Sequence, residues 1–465
     1  MNRMRTIARR GLTRGLAAAV AAGSLALAGC NDFLSSDKSV ADPNNPTVAS
    51  RNQLLVGAAA NLMGLEESGM AMIICQWMQQ CAGNGGRFVE EQANYTGITE
   101  ASFNTTFQSL YSGGGLIQLR QIQRLSDEQN DKVSKGIAEV MEAMVVGYGA
   151  DIWGDIPYRE AADTATSPHF DPQMQIYDDL QAVLDQAIAD LGAGGAGPGP
   201  YDIFFQGDAA KWTQLANTMK ARLYLHTVEK LGPAQYTKAL AAAQKGISTP
   251  DNDFKDPHTT ATSERNMWAQ FQLSSFGNDL VAGKPLVDLM KAQGDPRLAE
   301  YFGKNPAGGY GGYDQATGAT PADSISPIRG SGRTDNPEFA QPIVTYDENQ
   351  LILAEATFAL QGSAAAAPYL NAVRARYNKP AIAAPTLADI MGEKYIALFQ
   401  NPEYWNDYRR TCYPALRPAA GKPSIPARFY NPQSETQTNA NAPNDSDQNL
   451  FTMRNANDPN PCPVP

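Results

Sequence analysis

The amino-acid sequence predicts an all-α, mainly helical protein: paired helices in one domain, a loop-rich face and few short strands. Two observations carry this. Apolar residues recur at spacings of three and four through much of the chain, which puts them on one face of a helix with 3.6 residues per turn. Two long stretches, Thr249 to Pro342 and Pro418 to Pro465, are instead rich in Gly, Pro and Asn. Irregular chain of that length within a helical protein is more often functional surface than linker.

The elements follow in order. Residues 1–29 hold five arginines (Arg3, Arg5, Arg9, Arg10, Arg14), then a charge-free Ala/Leu-rich run from Gly15 to Gly29. A basic start, a short apolar run and small residues before a cleavage point make a secretory signal. The run falls short of the ~20 apolar residues of a spanning helix. Its ending, Leu27-Ala28-Gly29-Cys30, resembles the lipobox of bacterial lipoproteins, in which the cysteine becomes the acylated N-terminus. Residues 30–465 are then the exported domain, with 30–46 as its lipidated tether.

Arg51 to Gln80 is helical through Leu54, Leu55, Ala58, Leu62 and Leu65, with a break at Gly69. Gly83 to Thr99 is loop-like. Ser134–Ile152 carries one apolar stripe (Ile137, Val140, Met141, Met144, Val145, Tyr148), and Met174–Leu191 carries another. The Gly192–Pro200 linker contains a formal GxGxxG. It follows a helix rather than a strand, so it is not a nucleotide loop. Helices are expected at Ala209–Leu231, Ala234–Ile247, Val344–Leu360, Ala364–Tyr377 and Leu387–Phe399. The helix–turn–helix spacing, with Trp212-x-x-Leu215-Ala216, is similar to tetratricopeptide units.

The net charge is −11, and losing the five signal arginines takes it to −16. Such a surface repels nucleic-acid phosphates and anionic headgroups. Neutral ligands or a protein partner suit it better. The membrane is then reached through lipid on Cys30, each buried methylene contributing ~0.8 kcal/mol. Four other cysteines remain, Cys75, Cys81, Cys412 and Cys462. In an oxidising compartment they are expected as disulfides, and four cysteines allow three pairings. Pairing nearest neighbours joins Cys75 to Cys81 and Cys412 to Cys462, the second pinning a Pro/Asn-rich tail. With no CxxC and only three histidines, neither a metal nor a cofactor is expected.

Several motifs recur in a recognisable order. They are Cys30-Asn31-Asp32-Phe33-Leu34, Trp153-Gly154-Asp155-Ile156-Pro157-Tyr158, and Trp212 to Leu223 with its Ala216-Asn217 and Ala221-Arg222-Leu223. Asp295-Pro296-Arg297-Leu298, Leu353-Ala354-Glu355-Ala356, and Glu393 to Phe399 with Trp405-Asn406-Asp407-Tyr408-Arg409-Arg410 follow. Together the sequence resembles the SusD/RagB family of outer-membrane, surface-exposed lipoproteins, and is most similar to its SusD-like 2 branch. The resemblance implies one helical domain of tetratricopeptide-like pairs. It also implies a SusC-like, TonB-dependent β-barrel partner under this lid, and an outer-membrane location, lipid-anchored and facing outside. Near Cys30 the acidic export residues are only Asp32 and Asp37, a departure from the family pattern.

The Trp153–Tyr158 motif reads as a helix-ending turn. Asp407, Arg409 and Arg410 read as an ion-pair network packing the last helix, with Arg222 and Glu355 as buried partners. Neutral sugars stack C–H faces on flat rings, and amides or acids fix their hydroxyls. The ligand candidates are therefore aromatic and amide residues on expected loops: Asn266, Trp268, Phe271 and Phe276 in the irregular insert, and Trp77, Asn84, Phe88 and Tyr95 around the early loop. Trp268 is the leading candidate; Tyr310 and Tyr313 mark a Gly-rich tip. The resemblance draws the glycan platform from this early loop and from the segment before Asp295-Pro296-Arg297. Oligosaccharide or peptide ligands both remain open. No HExxH, GxSxG or nucleophile elbow is present, so catalysis is not expected. A ligand-free scaffold and a lipid-anchored hydrolase are the alternatives.

Overall fold

A computed structural model describes residues 49–162, 167–443 and 449–465. The expected signal, Cys30 and the tether to residue 46 lie outside the described residues. The helices of six residues or more are α1 (Arg51–Glu67), α2 (Gly69–Trp77), α3 (Asn104–Ser109), α4 (Leu116–Glu128), α5 (Lys132–Trp153), α6 (Gln173–Ala193) and α7 (Ala209–His226). They continue as α8 (Ala234–Ala243), α9 (Met267–Gln272), α10 (Lys284–Ala292), α11 (Tyr346–Gln361), α12 (Ser363–Arg376), α13 (Leu387–Ala397), α14 (Glu403–Thr411) and α15 (Gln433–Thr438). Three antiparallel strand pairs join distant segments: β1 (Cys81–Gly83) with β5 (Leu280–Ala282), β2 (Ile156–Pro157) with β3 (Phe170–Asp171), and β4 (Phe254–Asp256) with β6 (Gln341–Val344).

Helix pairs stack in sequence order: α4 on α5, α5 on α6, α6 on α7, α7 on α8, α8 on α11, and α11 on α12. This is the helical, tetratricopeptide-like architecture the sequence predicts. Local chemistry sets the helix starts. Asp131 accepts from Ser134 N to open α5, Asp208 from Ala210 N and Lys211 N to open α7, and Thr345 from Glu348 N to open α11. Each supplies an acceptor to an N–H that has no carbonyl one turn back. Gly154 closes α5 at φ 77°, a conformation costly for any residue with a Cβ. Asp155 then accepts from Gln173 N at 2.8 Å. The Trp153–Tyr158 motif is therefore a structural turn, as expected.

Some boundaries differ from expectation. The α7 helix stops at His226 rather than Leu231, with a separate turn at Val228–Leu231. Residues 341–344 form β6 before α11 begins. Helix α5 buries all its faces rather than a stripe, because α4 and α6 flank it. Its polar Glu142 is satisfied there by Arg120, by Gln123 at 2.6 Å and by the Tyr158 hydroxyl at 3.0 Å. The irregular insert contains two helices, α9 and α10, and the early loop contains a π-helical turn at Phe88–Ala93.

The expected ion-pair network is present in part, around Asp407, Arg410 and Glu355. Arg410 forks onto Glu355 and reaches Asp407, whose other oxygen is 2.7 Å from Lys394 Nζ. Arg222 forks onto Glu348 with both bonds at 2.7 Å. Arg409 instead reaches into the tail, 3.1 Å from Asp458. Disulfides join Cys75 to Cys81 and Cys412 to Cys462. Among the described residues, no helix is long and apolar enough to cross a membrane.

Candidate ligand-binding face

Strand pairing builds one face from three loops. Strand β1 begins at disulfide-bonded Cys81 and pairs with β5 in the register Cys81↔Ala282, Ala82↔Val281, Gly83↔Leu280. Gly283 then bridges Tyr313, with Tyr313 N donating to Ala282 O at 2.8 Å and Lys284 N to Tyr313 O at 3.0 Å. The early loop, the insert before Asp295 and the Gly-rich tip thus form one fabric. The packing is close enough that a Cβ on Gly83 would overlap the Phe88 carbonyl, and one on Gly283 the Gln79 carbonyl.

A groove of about 580 Å³ opens on this face, bordered by Val89, Asn94, Thr96, Tyr313, Gln315 and Lys422. That volume lies in the range of small-molecule sites. Buried Gln315 organises it. Its Nε2 donates to Ala93 O at 2.8 Å, and its backbone oxygen accepts from Ala420 N at 3.2 Å. Beside it the Tyr95 hydroxyl accepts from Ala419 N at 3.3 Å. Burial raises the Tyr95 pKa, and the bond from Ala419 opposes that rise, so the hydroxyl stays neutral. Asp314 turns the tip by accepting from Ala316 N and Thr317 N. The Tyr313 ring packs on Ala82, Val281 and Ile325.

The structure divides the expected ligand residues. Phe276 is 63 % exposed, and Leu273 three residues before it is 51 % exposed. Asn84 is exposed on the same loops, its side chain donating to Asn278 O at 3.2 Å. Phe271 is half-buried, edge-on to Phe88 with 5.1 Å between centroids. These residues are brought together around β1 and β5. The others are corrections. All five tryptophans of the chain, Trp77 and Trp268 included, are less than 2 % exposed, so no indole offers a platform. Trp268 points inward because Asn266 accepts from Ala269 N and turns the expected loop into helix α9. Asn266 is itself fully buried, donating to Phe339 O. Trp77 lies in the core against Trp405 and Phe429. Phe88 and Tyr95 are buried as the underside of the loop.

Sequence reasoning missed Asn94, Thr96, Gln315 and Lys422. Only the Gly-rich run around Tyr313 signalled the tip; nothing local marks Gln315.

One group among the described residues, Asp151, His226 and Glu403, brings three possible metal-ligating atoms within 4.8 Å of one another. His226 Nδ1 is 3.0 Å from Asp151 and Nε2 is 2.8 Å from Glu403. The ring nitrogens face opposite ways, so each carboxylate holds its own. Burial would lower the His226 pKa, but the Asp151 and Glu403 charges outweigh it and hold it up at about 10. The arrangement is a buried imidazolium clamp, with no position where one ion meets both nitrogens.

A family model for SusD-like 2 proteins, described as starch-binding and associating with the outer membrane, matches residues 43–366 and 359–432. The chain belongs to the SusD-like 2 family. Solved structures agree on its fold. A chitin-binding protein shares 23% identity at a TM-score of 0.73, covering 88% of this chain and 100% of that one. A SusD/RagB family protein from Bacteroides thetaiotaomicron shares 21% at 0.69, covering 85% and 95%. A chitin-binding SusD homologue from Flavobacterium johnsoniae shares 19% at 0.66, covering 87% and 98%. A comparison with curated proteins finds no match. In this SusD-like 2 chain, the groove beside Tyr313 takes one wall from the early loop and the others from the Gly-rich tip and the tail, while the segment before Asp295 does not line it.

Proposed function

We propose that this protein is a lipoprotein, anchored through Cys30 and facing outward, that captures oligosaccharides and passes them to a SusC-like TonB-dependent barrel. The observation that carries the reading is the groove of about 580 Å³ on the loop face of a SusD-like 2 chain. Its chemistry suits a neutral polyol. Tyr313 offers ring surface, while Asn94, Thr96 and Lys422 add polar groups that can meet hydroxyls. Phe276 and Leu273 are further exposed apolar side chains, on the insert before Asp295. Related solved proteins that bind chitin make chitin oligomers the first ligands to test, and starch oligomers the second.

Two measurements test this. Calorimetric titration with chitohexaose and maltohexaose is expected to show saturable binding without turnover, weakened by Tyr313→Ala. A mild-detergent pull-down of the full-length lipidated protein is expected to bring down a large TonB-dependent barrel. A barrel without any glycan or peptide binding would favour the scaffold reading, and polymer turnover the hydrolase reading.

A further inference from the structure

A second groove, of about 400 Å³, lies between α3, the β2 turn and α15. None of its lining residues belongs to the loop-face groove. Its walls are tied together across distant chain segments. Ser434 N donates to Asn104 Oδ1 at 3.0 Å, and Asn439 Nδ2 to Pro168 O at 2.9 Å. The groove is therefore built in advance of any occupant.

Among the described residues its lining contains no Lys or Arg, so no cation there would hold an anionic group. One wall is apolar, from Phe107, Tyr111 and Pro157. The opposite side presents uncharged polar groups. The side chains of Thr105 and Gln108 are exposed there, so their hydroxyl and amide can meet a ligand. The Tyr111 hydroxyl is buried at the wall with no hydrogen-bond partner, and burial keeps it protonated by raising its pKa well above the usual value. Among the described residues Glu435 supplies the one carboxyl, half-buried and accepting from Asn439 Nδ2 at 3.3 Å. Unspent amides and hydroxyls, one carboxyl acceptor and an apolar wall together match a polyhydroxylated neutral molecule. They match neither a phosphate nor a hydrocarbon chain.

We infer that this groove is a second carbohydrate site, holding a short stretch or the end of a neutral saccharide, independent of the loop-face groove. The inference shares its ligand class with the proposed function but none of its residues.

Hydroxyl-radical footprinting with chitohexaose and maltohexaose, on the wild type and on Tyr313→Ala, separates the two sites. The expected result is ligand-dependent protection of the peptides spanning 104–111 and 433–439, persisting when Tyr313→Ala has lost protection at the loop face. Thr438→Trp, which fills the second groove from an exposed position, is expected to weaken that protection at least tenfold without changing the melting temperature or the loop-face footprint. Protection at the loop face alone, at saturating ligand, overturns the second site. Protection of 104–111 and 433–439 alone upholds it while sinking the loop-face reading, and protection at neither overturns both.

Discussion

The Trp77 indole lies face to face with the Phe429 ring, with 4.3 Å between centroids and 11° between planes. Trp405 meets Trp77 edge-on at 5.6 Å and Phe429 at 5.2 Å. This stack fastens the disulfide-closed end of α2 to a tail whose composition reads as surface. The tail is part of the core, and the loop face is mounted on a rigid aromatic floor.

Trp268→Ala is expected to destabilise the protein by ~3–5 kcal/mol, the range for truncating a buried aromatic. Its indole is 0 % exposed, which is at odds with its place as the leading ligand candidate. A denaturant midpoint compared with glycan affinity decides the matter. Unchanged stability with weakened binding would return Trp268 to the ligand surface.

Why Trp268 misled is instructive. Long helices were legible because periodicity and caps agree: Ile137 to Tyr148 repeats at three and four, and Asp131 caps the start. Short elements were not. Helix α10 buries only Leu286, Val287 and Met290, too few to register as a stripe within a Gly-rich insert. Helix α4, by contrast, repeats Leu116, Leu119 and Ile122 at spacings of three, a stripe that was legible in the sequence. Of the candidate groove, the early loop was legible as a segment and the tip as a Gly-rich run, while the wall from Ala420 and Lys422 was not. Composition marks loops, yet one asparagine cap at residue 266 decides which face of α9 turns inward. Gln315 acts through partners far along the chain, at Ala93 and Ala420, and such pairing leaves no local signature.

Cys462→Ser should loosen the tail rather than the helices. The Cys412–Cys462 bridge closes a sequence separation of 50 residues, for which loop entropy predicts ~4 kcal/mol. That segment contains Phe429 and the Asp458 partner of Arg409. Hydrogen exchange is expected to rise first across residues 449–465, with α5 to α8 protected until global unfolding. Uniform loss of protection would show that the tail and the helices unfold as one unit.

Glu66 and His226 each contribute stability that is lost as pH rises, over different windows. Glu66 lines a cavity of about 30 Å³ with Tyr148, Asp151, Arg222 and Glu403. Burial lifts its pKa from 4.5 to about 7, against the opposing pull of Arg222. A folded pKa above the unfolded one means stability is full below about 4.5 and is lost as pH rises through about 7. His226 obeys the same sign over a higher window, full below 6.5 and lost through about 10. Glu66→Gln is thus expected to be stabilising above pH 7, by on the order of 3 kcal/mol, and neutral below pH ~4.5. Melting temperatures of both proteins from pH 4 to pH 8 test it, and parallel curves would show that Glu66 ionises freely.

Gln315→Glu should impair ligand capture more than folding. The substitution preserves shape but replaces the amide donor with a carboxylate, which cannot donate to Ala93 O. Losing one buried hydrogen bond and crowding two acceptors costs ~1–3 kcal/mol. The cost falls where residues 88–96 meet the groove, since that bond at 2.8 Å ties the early loop to the tip. A loosened loop must be ordered again when a ligand binds, and each immobilised side chain takes ~0.5–1.5 kcal/mol from the affinity. The expected outcome is faster hydrogen exchange across residues 88–96 and weaker glycan binding, with Ala420 N still held by the unchanged Gln315 backbone oxygen. Wild-type affinity in a variant whose early loop exchanges faster would place the ligand away from this groove.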